Sequence, residues 1–369
     1  MELAALHIRL NDLSKADDLI DEVERNTHPK FRGEPTMRLV GILIKNGSVA
    51  IAERYADRDR STYTNASLIE TAGGYMKQKQ LKKGEALISK ALGGCGISPD
   101  ESCDYALFLT ARAYYLAARP DTAMKYAQQI VAIDMRTQTL VEIAGAARDE
   151  SLALKAVEIA KKHADRCQGD NCRYVAMWIA QGYGAAGRAD KAVGYLNQHV
   201  AKAPIDYAIG LEMAVRQLAK RGKIKDAARL LNQQPTSSPS TDQMKQALAV
   251  AELKNGSFES ALSTVESIPN SFAQFEAAIT LAKVKPDFPF IQKWLTRTRP
   301  DDRQIEVYAG TVQVLLASAA RNGHTTEARR YVETLNNPLL KARGLIGIAQ
   351  GLLRKQPGEE WARSLELTW

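Results

Sequence analysis

The four cysteines form two close pairs, and thiol pairs can form disulfides, stay reduced or bind metal ions. Cys95 and Cys103 lie in the stretch CGISPDESC, and Cys167 and Cys172 lie in CQGDNC. A disulfide in either stretch would close a short loop, and disulfides persist mainly in oxidising compartments. Two interpretations stay open: two disulfides in an exported protein, or four free thiols in a reducing cytoplasm. A zinc site shared by both pairs is disfavoured because a long stretch of chain separates them.

Three glycines in the middle of the chain spell G-x-G-x-x-G, a pattern that can bind the pyrophosphate of a dinucleotide. That chemistry requires a strand before the glycines and a helix after them, so that backbone amides face the phosphates. Gly182 and Gly184 instead fall within an apolar pattern of helical spacing, and Gly187 falls at its end. The glycines therefore predict a helix and a turn, and no cofactor is expected.

The histidines are scattered along the chain, and no two of them stand at the spacing of a metal site. The sequence also lacks a nucleophile elbow, a phosphate-binding loop and a zinc-protease signature. We therefore predict no metal site, no catalytic residue and no enzymatic activity. The five histidines are His7, His28, His163, His199 and His324.

The elements that must position any functional side chain are helical hairpins that repeat along the chain. Between residues 171 and 204, apolar residues recur at helical spacing, Gly187 interrupts them, and a second amphipathic run follows. An anchor residue in the second run recurs every 33 to 37 residues, which gives eleven units over nearly the whole chain. The anchors are Ala16, Ala52, Ala86, Ala123, Ala156, Ala192, Ala227, Ala261, Trp294, Ala328 and Ala362.

The repeat has a physical reason. A hairpin of two helices buries only one face, so each unit must stack on its neighbours. A small anchor lets the helices approach closely, and a glycine between them permits a tight turn. We therefore predict an all-α protein in which about eleven stacked helix-turn-helix units form a single repeat domain over residues 1–369.

The unit resembles the tetratricopeptide repeat. That family carries small residues near the eighth and twentieth positions, an aromatic residue near the eleventh, a turn glycine near the fifteenth and a proline near the end. In the sixth unit these positions are filled by Ala180, Ala192, Tyr183, Gly187 and Pro204. The resemblance implies a right-handed superhelical solenoid in which the first helix of each unit lines a concave groove.

The same resemblance implies a set of groove residues. Aromatic rings bury area at low entropy cost, and arginine and lysine select acidic groups; the net charge of +8 fits an acidic partner. We therefore predict a scaffold or adaptor that binds a protein or peptide, although aromatic residues at this spacing also pack between repeats. The groove residues are Tyr105, Phe108, Arg112, Tyr115, Tyr174, Met177, Trp178, Gln181, Arg216, Lys220 and Lys254.

RNA binding is the alternative function. The stretches GYGAAGRADKAVGYL and LAKRGKIKDAARLL also resemble the pentatricopeptide family, in which each repeat reads one base. That code requires a polar residue at a fixed position of nearly every first helix. The fifth position varies too much for such a code, and it holds Thr71, Phe108, Val141, Met177, Glu212 and Gln246 in successive units.

The sequence leaves the compartment open. No run of eighteen apolar residues is present, so no membrane span is expected. A signal peptide does not precede the first unit, which favours the cytoplasm, whereas two disulfides would favour the periplasm or export. Both ends of the array lack a polar cap, so we expect self-association through the ends, docking of the ends onto another molecule, or a chain that is truncated.

Overall fold

The computed structural model describes residues 1–28, 31–59, 61, 63–93, 95, 101–167, 169, 171–234, 238–284, 288–298 and 304–353. These residues form 21 α-helices, and the described ranges contain no strand. The chain divides into two compact units. The first unit holds Met1–Ala186 with Gln198–Val200, and the second holds Gly187–Asn197 and the chain from Ala201 onward.

The first unit contains eleven helices. They are α1 (Glu2–Arg9), α2 (Leu13–Asn26), α3 (Glu34–Lys45), α4 (Val49–Arg58), α5 (Thr64–Lys77), α6 (Leu81–Leu92), α7 (Glu101–Leu116), α8 (Pro120–Ala127), α9 (Ile133–Ala146), α10 (Glu150–Ala164) and α11 (Cys172–Ala185). In this unit α1, α3, α5, α7 and α9 each pack against the even-numbered helix that follows and against the next odd-numbered helix.

The second unit begins with α12 (Ala189–His199), which is followed by nine helices. They are α13 (Pro204–Lys220), α14 (Ile224–Leu231), α15 (Pro239–Lys254), α16 (Phe258–Glu266), α17 (Ser271–Val284), α18 (Phe288–Arg297), α19 (Ile305–Arg321), α20 (Thr325–Glu333) and α21 (Pro338–Leu352). Here too α13, α15, α17, α19 and α21 pack in succession. Each unit is thus a stack of helical hairpins, and the all-α repeat prediction is confirmed.

The anchor positions show why the hairpins stack closely. Most predicted anchors are fully buried alanines on even-numbered helices, which bring the two helices of a hairpin together. The prediction is wrong in the third unit, because Ala86 is exposed and Gly84 takes the buried position. A Cβ atom on Gly84 would lie 2.9 Å from the carbonyl oxygen of Ala72 on α5, so this contact requires glycine. Ala362 lies outside the described residues.

In the ninth unit a large side chain fills the anchor position. Trp294 is fully buried, and its ring meets Phe275 edge to face, with 5.9 Å between the ring centroids. The ring of Tyr308 lies 6.0 Å from the same tryptophan. Aromatic pairs at these distances add to the apolar area that they bury. The second unit therefore has an aromatic core where the other hairpins rely on alanine.

Candidate partner-binding surfaces

A concave pocket of about 420 Å³ lies on the odd-numbered helices of the second unit. Four cations line it: Arg216 and Lys220 from α13, Lys254 from α15 and Lys283 from α17. We call this set the basic pocket. The lining also includes small or aliphatic residues, so the pocket combines cationic and apolar side chains. These apolar residues are Ala219, Ala247, Val250 and Ala251.

The repeat itself positions these cations. Arg216 and Lys220 are one helical turn apart and therefore project from one face of α13. Lys220 and Lys254 each stand two residues before a turn glycine, Gly222 with φ of 73° and Gly256 with φ of 82°. Since α13 and α15 pack side by side, equivalent residues of successive hairpins come to the same end of the stack.

Arg216 is held in place by its neighbours. Its Nη2 atom lies 2.6 Å from Oε1 of Glu212 and donates a hydrogen bond of 2.9 Å to Oε1 of Gln243 on α15. Burial raises the pKa of Glu212, and the charge of Arg216 lowers it by a smaller amount. Gln246 of α15 donates a 3.1 Å hydrogen bond to the hydroxyl of Thr280 on α17. These bonds fix the polar walls of the basic pocket.

The three lysines of the basic pocket are exposed, and no carboxylate among the described residues forms an ion pair with them. On the even-numbered helices, by contrast, cations pair with acids of the preceding hairpin. These pairs are Arg54 with Asp17, Lys90 with Asp57, Lys155 with Asp121, Arg229 with Asp190, Lys293 with Glu259 and Arg297 with Glu266. The basic pocket therefore carries three positive charges that no carboxylate of the described residues neutralises by direct pairing.

The first unit presents a second predicted group on α7, which we call the aromatic surface: Tyr105, Phe108, Arg112 and Tyr115. The ring of Tyr105 is 42% exposed and stacks on Phe108 with centroids 6.0 Å apart. Arg112 is exposed, while Phe108 and Tyr115 are half-buried. Burial raises the pKa of both tyrosines, and the positive charge of Arg112 lowers both. An exposed cation thus stands near two phenol groups.

Arg112 also lines a pocket of about 280 Å³ in the first unit. Glu70 and Lys77 from α5 and the 63% exposed Leu116 from α7 lie around it. This pocket offers charges of both signs beside apolar side chains. It can accept a mixed polar and apolar segment better than a strongly charged one.

On α11 the structure corrects one predicted groove residue. Met177 is only 4% exposed and packs in the core, because α9 and α10 both cover α11 and leave little of its circumference open. Tyr174 is 54% exposed, and Trp178 and Gln181 are half-buried. The available face of α11 therefore carries Tyr174 and Trp178, one turn apart, without Met177.

The glycine pattern and the cysteines also lie on α11. A Cβ atom on Gly182 would lie 2.6 Å from a methyl group of Val157, so this glycine serves close packing against α10. The structure joins Cys167 to Cys172 at the start of α11, and Cys95 to Cys103 in the first turns of α7. Each bond ties the beginning of a helix with exposed aromatic residues to the segment before it.

Sequence reasoning missed Lys283 and the two glutamines of the basic pocket. Lys283 lies in the ninth unit, where Trp294 replaces the alanine anchor and the repeat register is hard to assign from sequence. Its position in the last turn of a long apolar helix was the available signal. Gln243 and Gln246 gave no signal, because the sequence does not show which side chain an amide group on a helix contacts.

No group of three His, Cys, Asp or Glu side chains within the described residues is arranged to hold a metal ion. None of the helices in the described ranges has the length and apolar character needed to cross a membrane.

Comparison with known proteins gives limited similarity. No protein-family model matches the chain, and no curated protein matches it. Among solved structures, Ton1535 from Thermococcus onnurineus NA1 is similar with a TM-score of 0.31 and 13% identity over 94% of this chain and 98% of that chain. A circular tandem repeat protein with novel repeat topology and enhanced subunit contact surfaces has a TM-score of 0.30 and 14% identity over 95% of this chain and 93% of that chain. Function must therefore be inferred from the side chains of the two surfaces.

Proposed function

We propose that the protein is a non-catalytic interaction scaffold of the tetratricopeptide type, which binds an acidic segment of a partner protein. The strongest support is the basic pocket, where Lys220, Lys254 and Lys283 lack carboxylate partners among the described residues. A cluster of like charges repels itself and does not help the fold. An anionic ligand offsets that repulsion, and complementary charge gives such a ligand both specificity and a fast association rate.

The aromatic surface supports the same function in the first unit. Rings of tyrosine and phenylalanine bury about 150–250 Å² each on contact, and tyrosine and arginine are enriched among the residues that dominate binding energy. Tyr105 is already stacked on Phe108, so less conformational entropy is lost when a partner covers it. Arg112 beside these rings can pair with a partner carboxylate.

The burial of the fifth repeat position favours protein binding over RNA binding. A base-reading residue must reach the ligand, yet four of the six residues at this position are buried. Thr71 is 0% exposed, Val141 3%, Met177 4% and Gln246 9%. One polar contact per repeat with successive bases is therefore not available at this position, and RNA binding stays the weaker alternative.

The proposal is tested by affinity capture from native extract, with and without nuclease treatment. The wild-type chain is compared with a Lys220→Glu, Lys254→Glu double variant, and with a Lys225→Glu, Lys341→Glu control of equal charge on other surfaces of the second unit. We expect a protein partner that survives nuclease, is lost with the double variant and is kept by the control. Retention of RNA alone, and its loss after nuclease, would contradict the proposal.

We also propose that the protein works in an oxidising compartment. Two cysteine pairs with Cα atoms 5.4 Å and 5.5 Å apart support this, since disulfides of that geometry persist where thiols are not kept reduced. Mass spectrometry of the protein taken from its native source, alkylated without reductant, should find all four cysteines protected. Four alkylated cysteines would place the protein in a reducing compartment instead.

A further inference from the structure

A hydrogen-bond network in the first unit ties the linker between α8 and α9 to the helices around it. Arg136, in the first turn of α9, donates through Nε to the carbonyl oxygen of Ile130 at 2.6 Å and through Nη2 to that of Val131 at 3.2 Å. Asp104 of α7 accepts from the backbone N–H groups of Val131 and Ala132, both at 2.7 Å. Charged side chains of two helices thus hold both the carbonyl and the N–H groups of the linker.

The remaining contact of Arg136 makes this network sensitive to pH. Its Nη1 atom lies 2.6 Å from Nδ1 of His163 on α10. A guanidinium stays protonated and can only donate, so Nδ1 is the acceptor and the imidazole is neutral, with its proton on Nε2. Protonation of Nδ1 would turn this hydrogen bond into a direct contact between two cations.

The charges that act on His163 oppose its protonation. Burial lowers the pKa of His163 below its ordinary value of 6.5, and the positive charges of Arg136, Arg166 and Lys162 lower this pKa further. Asp165, two residues along the chain, acts on the histidine at the end of α12. The unfolded chain therefore binds this proton more tightly than the folded chain, so stability is lost as the pH falls below the ordinary value.

The carboxylates of the helices around His163 have other partners. Asp104 of α7 acts on Arg136, and on α9 the carboxylate of Asp134 accepts from a backbone N–H group. Glu142 of α9 accepts from a glutamine one turn before it, and Glu158 of α10 accepts from a tyrosine of α11. Helix α11, which packs against α10, contains no Asp or Glu. A positive charge on the imidazole thus meets cations first.

We propose that His163 is a pH sensor: its protonation in mildly acidic solution breaks the hydrogen bond with Arg136 and loosens the linker between α8 and α9. The neutral imidazole orients the guanidinium, whose other donors hold the linker carbonyls. A protonated imidazole repels the guanidinium and displaces it from this position. Because Asp104 binds the same linker and immediately precedes Tyr105, the change reaches the start of the helix that carries the aromatic surface.

The test is amide hydrogen exchange of the full chain between about pH 8 and about pH 5, the range in which histidine changes its charge. The rates are expressed as protection factors, which removes the intrinsic pH dependence of exchange. We expect the protection of the Val131 and Ala132 amides to fall about two- to tenfold on acidification, the range that the loss of one hydrogen bond gives.

Two variants connect the effect to His163. His163→Gln keeps an acceptor for Arg136 but cannot gain a proton in this range, so the protection of the two linker amides should stay the same at both ends of the pH scale. His324→Gln, directly before α20 in the second unit, is the matched control and should lose protection on acidification as the wild type does. Circular dichroism checks that both variants keep the helix content of the wild type.

Nitrogen NMR of the His163 imidazole tests the geometry in the wild-type chain, so the proposal does not depend on the folding of a variant. We expect the Nε2–H tautomer at neutral pH, and titration of the ring below its ordinary pKa of 6.5 together with the loss of linker protection. An Nδ1–H tautomer would overturn the proposal. Linker protection that does not change with pH in the wild type, or that falls equally in His163→Gln, would overturn it too.

Discussion

Neutralising Glu212 should increase the affinity of the basic pocket for acidic ligands. Oε1 of Glu212 lies 2.6 Å from Nη2 of Arg216. A ligand carboxylate paired with Lys220, about two helical turns along α13, lies about 12 Å from Glu212. Two like charges at that distance repel by about 0.35–0.7 kcal/mol at an effective dielectric constant of about 80–40. Glu212→Gln should therefore tighten binding about two- to threefold.

The assay is fluorescence anisotropy with a labelled glutamate-rich peptide, repeated at two salt concentrations. Because the pocket is open to solvent, the gain should shrink when the Debye length falls from about 10 Å at 0.1 M salt to about 3 Å at 1 M. Glu306→Gln removes an exposed carboxylate from α19 of the same unit and is the matched control. Unchanged or weaker binding by Glu212→Gln, with unchanged helix content, would refute the electrostatic reasoning.

The pH dependence of Glu212 gives a second readout. Burial raises the pKa of Glu212 above its ordinary value of 4.5 in spite of Arg216. As the pH falls through the raised pKa, the wild-type carboxyl becomes protonated and neutral like glutamine, so the difference in affinity should disappear. The free energy of unfolding changes with pH for the same reason. At a pH above the raised pKa of Glu212 in the folded state, the carboxyl is charged, and burial of this charge destabilises the fold. Glu212→Gln should thus stabilise the fold at neutral pH, and this gain should vanish below the unfolded pKa.

Three further predictions concern the fold and are measured as unfolding free energies in urea. Ala118 has φ of 59° at a hairpin turn, so Ala118→Gly should stabilise by about 1 kcal/mol, whereas the neighbouring Ala117→Gly should not. Trp294→Ala should cost about 3–5 kcal/mol by opening a cavity, and a loss under 1 kcal/mol would contradict its place in the core. Gly182→Ala should cost about 1–3 kcal/mol, because the added methyl group would clash with Val157. No loss of stability would contradict this close contact and show that α10 can shift to accommodate the methyl group.

The hairpins were predictable from sequence because their cause is local. Most of the described turns hold a residue with positive φ and most anchor positions a small residue, so Gly222 and Ala227 mark one hairpin unambiguously. The same logic explains the error in the third unit. Glycine and alanine are both small enough for a crossing, so Gly84 and Ala86 compete as anchors in sequence and only packing decides between them.

The surfaces were less predictable, because exposure depends on neighbours that are distant in sequence. Helix α11 is apolar around most of its circumference, so the pattern alone could not tell the buried Met177 from the exposed Tyr174. Lys220 and Lys254 were found because they repeat at the same place in two regular units. Lys283 was missed because the register of its unit is obscured by Trp294, although its helix packs beside α15.

The contrast between the ion pairs that join successive hairpins and the lysines of the basic pocket argues that the basic pocket is functional. The same repeat that brings Lys155 to 2.9 Å from Asp121, and Lys293 to 2.6 Å from Glu259, could have placed acids opposite Lys220 and Lys254. Exposed pairs of this kind contribute at most about 1 kcal/mol each. The stability of the fold therefore depends little on whether these cations are paired or unpaired. Lys220, Lys254 and Lys283 instead have no carboxylate partner among the described residues and line a pocket with apolar side chains, which is the arrangement that the proposed anionic ligand requires.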